Sequence, residues 1–474
     1  MAFAACLFAI PGIADEARAN SKDTRLADAA EAEDWPLVEQ LLDEGIDNQS
    51  PHPDGMTALH WAVYRNHATS IGRLIDAGGD VNAETRYRVT PISIACQHGR
   101  PEIVAKLLSG GADVNKTLPG GETPLMIAAR TGDVRVIRHL VKAKAQINAT
   151  ERRGQTALMW AAGSGNAEAV DELIVAGAKA NEKTKLGFTA IMFAARDGRG
   201  KVVRRLLAAG VDVNAVMTPN SSGDRVPRKG TSALTLAVES GHFELALFLI
   251  NEGANPNDQR NGFTPLHAIT WVRKPNRGEN SNGDPPPRGS GNLTSLQFVR
   301  AIVAAGADVN AQLKSGRGGR AVLNRKDATP FLLAAKTADL PLLKTLIDLG
   351  ADPTLTNVDG SNAIMACAGV GVRAVGEEAG TESEVLETLD YLLELGLDIN
   401  AVDQNKETAM HGAAYRNFPR VVEFLAAQGA DPAAWNHKNE YGWTPVMIAQ
   451  GNRPGSFKPS PETVAALRAA MVRK

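Results

Sequence analysis

The sequence has few aromatic residues, few cysteines and almost no net charge. Phenylalanine, tryptophan and tyrosine make up 5% of the 474 residues, which favours packing between small residues on helices over an aromatic core. The 51 Lys and Arg residues nearly balance the 53 Asp and Glu residues, and the formal net charge is −2. This balance excludes a globally basic nucleic-acid-binding protein, although local patches of either sign are still allowed.

An apolar run stands at the N-terminus, from Ala2 to Ile10, and no other run approaches the roughly 20 residues that a membrane span needs. A Pro-Gly pair follows, and then small residues at two cleavage sites, after Ala14 and after Ala19. This order is typical of a secretory signal peptide, although no basic residue precedes the run. We therefore predict a signal peptide over residues 1–19 and a periplasmic or secreted protein. The alternative is an uncleaved N-terminal cap helix on a cytoplasmic protein.

A motif that begins with Thr-x-Leu, or with a close variant of it, recurs along the rest of the chain. Its first six copies, from Thr24 through Thr189, follow one another at intervals of 33 residues. The motif starts are Thr24, Thr57, Thr90, Thr123, Thr156, Thr189, Ser232, Thr264, Thr329, Asn362, Thr408 and Thr444. Most units also end in a Gly-Ala-Asp-like step, such as "GGADVN" at 110–115. A period of this length indicates a stack of similar structural units.

The residue types of each motif fit a pair of short helices. A Thr hydroxyl can accept a backbone N–H and cap the first helix, and Pro at the next position suits the first helical turn. The Gly of "GGADVN" suits the left-handed residue that ends the second helix. Apolar residues between them, such as Ile103, Val104, Leu107 and Leu108, recur at helical spacing. Each unit is therefore predicted as helix, turn, helix and an extended finger.

The motifs resemble the signature of the ankyrin repeat family, T-P-L-H-x-A, as in "TPLHAIT" at Thr264. The resemblance implies an all-α solenoid of about twelve helix-turn-helix units with β-hairpin-like fingers, extending over residues 20–474 as one domain. One unit cannot bury its apolar face alone, so neighbours must stack and the two ends need polar caps. The charged first unit and the Lys- and Arg-bearing last helix suit those caps.

Several units are longer than the 33-residue period. The extra residues lie near 215–230, 271–292, 311–328 and 372–384. The segment "WVRKPNRGENSNGDPPPRGSGNLTS", residues 271–295, is crowded with Gly, Pro, Asn and Arg and has no helical period. Insertions of this kind leave the stacked core of a repeat array intact, and they tend to lie on binding faces.

The first three insertions are basic, whereas residues 376–398 are acidic and contain no Lys or Arg. We predict that the basic loops and the neighbouring fingers bind an acidic surface of a partner protein, because such charges steer association. The predicted binding residues are Arg86, Arg88, Arg152, Arg153, Lys183, Lys185, Arg225, Arg228, Lys229, Trp271, Arg273, Lys274, Arg277, Lys314, Arg317 and Arg320. The partner-facing region is then bipolar. The alternative interpretation is that these are solvated loops whose charges only keep the chain soluble.

Nothing in the sequence indicates a nucleic-acid partner, a catalytic centre, a metal or a cofactor. Trp271 is the one aromatic residue in the basic loops, which therefore lack the stacking surfaces that bind bases. His60, His267 and His411 occupy the His position of the motif, where an imidazole most often hydrogen-bonds the backbone. The Gly-rich "GVGVRAVG" at 369–376 follows a helix and lacks the G-K-[ST] ending of a phosphate loop.

The leading functional prediction is an exported bacterial scaffold that binds a partner protein and catalyses no reaction, and this step rests on the family resemblance. Two other classes stay open. One is a secreted effector that engages host proteins. The other is an enzyme built on the repeats, which requires polar groups that converge around Trp271 and a pocket with a strongly shifted titratable residue.

Overall fold

The computed structural model describes residues 23–219, 228–275, 287–319, 322–376, 378–452 and 458–472. The chain divides into two compact units, Met1–Ala180 and Asn181–Lys474. The described part of each unit consists of short helices joined by turns and contains no β-strand. Two isolated bridges join Val216 to Ser232 and Gly319 to Val322. The predicted signal peptide, residues 1–19, lies outside the described residues.

The first unit contains helices α1 to α10, arranged as successive pairs. First helices pack on the first helices of the neighbouring pairs, and second helices pack on second helices. The bounds are α1 (Arg25–Glu31), α2 (Trp35–Asp43), α3 (Ala58–Tyr64), α4 (Ala68–Asp76), α5 (Pro91–Gln97), α6 (Pro101–Ser109), α7 (Pro124–Thr131), α8 (Val134–Lys142), α9 (Ala157–Ser164) and α10 (Ala167–Val175).

The second unit continues the same alternation and ends with helix α25, which packs on α22 and α24. The bounds are α11 (Ala190–Arg196), α12 (Gly200–Ala208), α13 (Ala233–Glu239), α14 (Phe243–Asn251), α15 (Pro265–Arg273), α16 (Ser295–Ala304), α17 (Pro330–Lys336), α18 (Leu340–Asp348), α19 (Ala363–Ala368), α20 (Glu382–Glu394), α21 (Ala409–Arg416), α22 (Pro419–Ala427), α23 (Pro432–Trp435), α24 (Pro445–Ala449) and α25 (Pro461–Val472). None of the described helices is both long enough and apolar enough to span a bilayer.

The motif residues start and end the helices as predicted. The Thr329 hydroxyl accepts the backbone N–H of Leu332 at 3.2 Å, and a Pro follows in the first helical turn. Thr24 and Thr189 stand at equivalent positions but make no such side-chain bond. Gly111 follows the second helix of its pair with a φ of 90°, a backbone conformation that a side chain disfavours. The all-α class and the paired helix-turn-helix units are thus confirmed.

Small side chains and asparagines hold the pairs together. Fully buried alanines separate neighbouring first helices, at Ala62, Ala95, Ala128, Ala161, Ala194, Ala237 and Ala334. The side chain of Asn310 donates to the carbonyl of Gly350 at 3.3 Å and accepts the N–H of Asp352 at 2.8 Å, which links two successive fingers. Asn82 and Asn148 make the same two bonds in the first unit. Each pair is therefore stabilised chiefly by its nearest neighbours.

The predicted insertions occupy the longer connections of the second unit. Helix α15 continues to Arg273, so Trp271 and Arg273, at the start of the predicted insertion 271–292, lie on a helix. Helix α20 begins at Glu382, so the end of the predicted insertion 372–384 is helical. The predicted binding residues Arg225, Arg277 and Arg320 lie outside the described residues.

Candidate functional site

Two of the four basic residues predicted in the first unit, Arg88 and Arg152, are bound through their side chains to a finger of the same unit. Arg88 Nε lies 3.0 Å from a carboxylate oxygen of Glu84. Arg152 donates a guanidinium N–H to a backbone carbonyl of the preceding finger at 3.0 Å. The backbone N–H groups of Arg86 and Arg153 donate to a carbonyl and to a carboxylate respectively, but both residues are exposed and neither guanidinium forms an ion pair with a described residue. Contacts of this kind position the fingers.

Two residues predicted to face a partner form ion pairs inside the second unit. Arg273 donates to both carboxylate oxygens of Asp339, at 2.7 and 2.9 Å, and the Asp339 side chain is only 1% exposed. Lys274 Nζ lies 2.8 Å from Glu384 Oε1. The acidic segment predicted as one end of a bipolar binding face therefore neutralises a cation of the same unit. Arg273 and Lys274 are therefore engaged in ion pairs within the second unit.

A second acidic residue of the segment 376–398 also forms an ion pair within the second unit. Glu378 forms an ion pair with Lys336 of α17, and both side chains are less than a tenth exposed. Burial lowers the pKa of Lys336, and the Glu378 carboxylate opposes that change. Arg416 donates to the carbonyls of Ala379, at 3.2 Å, and of Gly380. These contacts fix residues 378–380 against the helices.

The six described cations of the insertions 215–230 and 311–328 are exposed, and none of them forms an ion pair with a residue that the structure describes. They are Arg228, Lys229, Lys314, Arg317, Arg325 and Lys326. Two of them, Arg228 and Arg325, line a cavity of about 220 Å³ that we name the insertion pocket. The other lining residues are Asn261, Gly262, Phe263, Trp271, Leu313, Ser315 and Gly316. The structure thus brings the predicted residues Arg228 and Trp271 together in one pocket. Lys314 and Arg317, also predicted, are adjacent along the chain to the lining residues Ser315 and Gly316.

Lys183 and Lys185, also predicted as binding residues, do not line the insertion pocket. Lys183 Nζ lies 3.4 Å from the hydroxyl of Thr218, a weak contact within the second unit. Lys185 is exposed.

Two glycines allow the insertions to approach the finger closely enough to form the pocket. Gly230 has a φ of +87°, and a Cβ there would lie 2.1 Å from the carbonyl oxygen of Arg260. Gly316 is equally crowded, since a Cβ would lie 2.1 Å from the backbone nitrogen of Lys326. Any larger residue would push Arg228 or the 315–316 wall away from the pocket.

Two aromatic rings line the pocket, and the carboxyl group of Glu239, which is not itself a lining residue, interacts with one of them. The rings of Phe263 and Trp271 meet edge to face, with centroids 4.8 Å apart. The guanidinium carbon of Arg228 lies 5.0 Å from the Phe263 ring centroid, a cation–π distance. Burial raises the pKa of Glu239, while the nearby Arg228 charge and a hydrogen bond from Trp271 lower it. The site therefore combines exposed cations, a stacked guanidinium and an indole.

The three motif histidines and two cysteines are buried in the helices. His60, His267 and His411 each complete a capping box with the motif Thr. Burial lowers the pKa of His267 to about 4 and that of His411 to about 3. Cys96 and Cys367 are buried free thiols, and burial raises the pKa of Cys367 to about 12. Across the described residues, no three His, Cys, Asp or Glu side chains are grouped so as to hold a metal ion.

Two residues that line the pocket, Phe263 and Arg325, and one that interacts with the lining, Glu239, are not among the predicted binding residues. Phe263 stands immediately before the motif Thr, where an aromatic residue could have been noticed as a finger residue able to reach its own helix. Glu239 ends helix α13, and nothing in its local sequence distinguishes it from a solvated acid. Arg325 lies in the basic segment 311–328 but is not among the predicted binding residues.

Comparisons with known families agree with the paired helices. The model described as "Ankyrin repeats (3 copies)" matches residues 26–118, 106–184 and 125–217. "Ankyrin repeats (many copies)" matches residues 379–426, and "Ankyrin repeat" matches residues 229–261. Together these matches cover more than half of the chain.

Curated relatives share parts of the chain. "Ankyrin repeat, SAM and basic leucine zipper domain-containing protein 1" of Dasypus novemcinctus is 32% identical over 136 residues, 29% of this chain and 24% of that protein. "Ankyrin repeat and SOCS box protein 16" of Mus musculus is 27% identical over 258 residues, 49% of each chain. "Palmitoyltransferase AKR1" of Lachancea kluyveri is 30% identical over 151 residues, 32% of this chain and 18% of the enzyme.

This chain therefore spans no more than about half the length of these relatives. One of the three is named as an enzyme, and its match covers less than a fifth of it. The recurring motif, the paired helices and the family matches agree on one conclusion. The chain belongs to the ankyrin repeat family.

Proposed function

We propose that the protein is a non-catalytic scaffold that binds an acidic surface of a partner protein through the basic insertions of its second unit. Ankyrin repeats suggest a role in protein–protein interaction. One observation carries the choice of surface: six exposed cations without an ion pair to any described residue lie at or beside a pocket walled by Phe263 and Trp271. In contrast, three other predicted binding residues, Arg88, Arg273 and Lys274, form ion pairs within the chain.

The two parts of this surface have different roles in the proposal. Exposed charges such as Lys314 and Lys326 steer an acidic partner and raise the association rate, but each adds little affinity because water and salt screen it. Partly enclosed Arg and Trp side chains are the residue types that carry most binding energy in protein interfaces. Arg228 and Trp271 meet that description, since they line a concave pocket. The partner's acidic segment is thus expected to be anchored at the insertion pocket.

The hypothesis that the protein is an enzyme built on the repeats is supported by one observation, which is that burial raises the pKa of Glu239 near Trp271. General acid–base catalysis usually needs a second proton-transfer group at the same site. Among the described lining residues, the ionisable groups are two guanidiniums, which stay protonated and cannot serve as bases. The arrangement therefore supports binding better than catalysis.

Affinity capture from native cell extract, followed by mass spectrometry, tests the proposal. The test variant carries Ser at Lys314, Arg317, Arg325 and Lys326, and the control carries Ser at the four first-unit residues Arg86, Arg88, Arg152 and Arg153. Both lose four positive charges, so general charge effects are matched. We expect a partner that wild type and control recover and that the insertion variant loses. Equal recovery by all three proteins would move the binding site away from the insertions.

We further propose that the protein is exported, on the basis of the apolar run and the cleavage sites at its N-terminus. The experiment is mass spectrometry of the N-terminal peptide of protein purified from its native cells. Cleavage predicts a new N-terminus at Asp15 or Asn20. A protein that retains residues 1–14 would contradict the proposal. Recovery of cleaved protein from the culture medium together with host proteins would favour the effector class.

A further inference from the structure

We propose that the insertion pocket is a socket for one carboxylate side chain, Asp or Glu, of the partner's acidic segment. The inference rests on the proposed function and makes it more specific. The other cations of the insertions would attract the segment in general, whereas the pocket would hold one defined residue of it. Among the described residues, Arg228 and Arg325 are the two cations that line the pocket, and the other four described cations of the insertions are not part of its lining.

Guanidinium groups are suited to this ligand. Arg presents its N–H donors in a planar fork that matches the two oxygens of a carboxylate, and such bonds are about twice as strong as neutral ones. Neither Arg228 nor Arg325 has an ion pair with a described carboxylate of the chain. The contrast with Arg273 is direct, because that guanidinium already binds both oxygens of Asp339. A carboxylate of the partner could form with Arg228 and Arg325 the kind of ion pair that Arg273 already forms with Asp339.

The aromatic wall prepares the socket before the ligand arrives. The Phe263 ring supports the Arg228 guanidinium at 5.0 Å, and the Trp271 ring packs edge to face on Phe263. A guanidinium that is already ordered loses less conformational entropy when it forms hydrogen bonds. Phe263 itself is 4% exposed and Leu313 is also 4% exposed, so the floor of the pocket is apolar. That floor suits the methylene groups that precede a carboxylate in Asp and Glu.

Glu239 sets the limit of affinity at this site. Its carboxyl accepts a hydrogen bond from Trp271 and interacts with the Arg228 charge, and burial raises its pKa. When Glu239 is ionised, its charge would repel a carboxylate bound beside Arg228. A Glu239→Gln substitution keeps an oxygen acceptor for the indole and removes the charge. If the socket takes a carboxylate, this substitution is expected to tighten binding, which a merely structural role for Glu239 would not cause.

A polypeptide fits the pocket better than a nucleic acid. Binding of a single-stranded nucleic acid generally uses several aromatic platforms, on which successive bases stack. Of the two aromatic rings in the pocket wall, Phe263 is buried and is covered by Arg228, which leaves Trp271 as one partly exposed ring. One ring and two guanidiniums can accommodate one acidic side chain at a time.

The test is fluorescence anisotropy with a fluorescein-labelled octaglutamate peptide, amidated at its C-terminus, titrated with the full chain. Arg228→Ala and Arg325→Ala are compared with Arg317→Ala, which removes the same charge from an insertion but does not line the pocket. Circular dichroism and thermal unfolding of each variant check that it is folded. We expect each pocket variant to weaken binding about ten-fold or more, and the control to weaken it about two-fold. Glu239→Gln is expected to strengthen it about three-fold.

The outcomes separate the socket from the proposed function. Equal weakening by all three Arg substitutions would overturn the socket and leave only charge steering by the insertions, consistent with the proposed function. Tighter binding of a labelled oligothymidylate than of octaglutamate would overturn the choice of a carboxylate. No binding of octaglutamate by wild type would also overturn the socket, and the proposed function would then be decided separately by the capture experiment. The full proposal is supported only if the pocket variants, the control and Glu239→Gln all behave as expected.

Discussion

Glu407 of the second unit gives the sharpest prediction about stability, because its side chain is only 3% exposed and no cation pairs with it among the described residues. The Tyr415 hydroxyl donates to its Oε1 at 2.7 Å, and the Asn439 amide donates to the same oxygen at 2.9 Å. Asp403 lies close enough to oppose its ionisation. Burial is the largest influence, and the pKa of Glu407 is raised from its ordinary value of 4.5 to about 7.

The sign of the effect follows from proton binding. A raised pKa means that the folded chain holds the proton over a pH range in which the unfolded chain has released it. The folded state therefore loses stability as the pH rises from 4.5 to about 7, and the loss from this group is complete above that range. Its full size is about 3 kcal/mol at most, since each pKa unit corresponds to about 1.4 kcal/mol.

The experiment compares wild type with Glu407→Gln, which keeps an oxygen acceptor for Tyr415 and Asn439 but cannot ionise. Urea unfolding is followed by circular dichroism at several pH values from 4.5 to 8. The stability of the variant relative to wild type should increase by about 3 kcal/mol across this range and then level off. Taking the difference between two proteins at each pH cancels the contributions of the other titrating groups.

The control is Glu394→Gln, which removes the same charge from an exposed position on α20. Its stability relative to wild type should change little with pH, because an exposed charge interacts weakly. The reasoning about Glu407 is refuted if its Gln variant differs from wild type by the same amount at pH 4.5 and at pH 8. Such a result would show that water or a rearrangement solvates the carboxylate in the folded state.

Three further predictions concern packing in the second unit. Arg273→Ala should lower the free energy of urea unfolding by about 3 kcal/mol, because the buried Asp339 carboxylate loses its partner. Arg300→Ala, which breaks the exposed ion pair with Asp348, should lower it by less than about 1 kcal/mol. Asn310→Ala removes both side-chain hydrogen bonds to the next finger and should lower the free energy of unfolding by about 2 kcal/mol. A change near zero would show that these two bonds do not stabilise the contact between fingers. The imidazole of His267 should titrate near pH 4 by NMR, and stability should fall as the pH falls from 6.5 to about 4; titration near 6.5 would contradict its burial.

The fold could be predicted from the sequence because its signals are local and repeated. A Thr that caps a helix, a Pro in the first turn and a Gly with positive φ each act within a few residues, and the period repeats them in register. The structural role of His267 was predictable for the same reason, since its partner Thr264 stands three residues earlier in the motif. The predicted β-hairpin-like fingers appear in the described residues as hydrogen-bonded turns without strands, as between Thr85 and Val89.

The candidate site could be predicted only in part, because its contacts are distant along the chain. Charge counting placed Arg273 in a partner-facing loop, but its carboxylate partner is Asp339, on the far side of an insertion. Sequence proximity likewise gave no sign that Arg228 would stack on Phe263 or that Arg325 would share its pocket. Those contacts depend on close backbone approaches at Gly230 and Gly316, which residue counting cannot resolve.

The central claim is that the basic insertions of the second unit bind an acidic surface of a partner. Its most direct test is the dissociation constant between the purified chain and the captured partner, measured over a range of salt concentrations. The comparison is between wild type and the variant with Ser at Lys314, Arg317, Arg325 and Lys326. We predict that wild-type affinity falls steeply with salt and that the variant binds weakly with a much shallower dependence. Equal affinities with equal salt dependence would contradict the account.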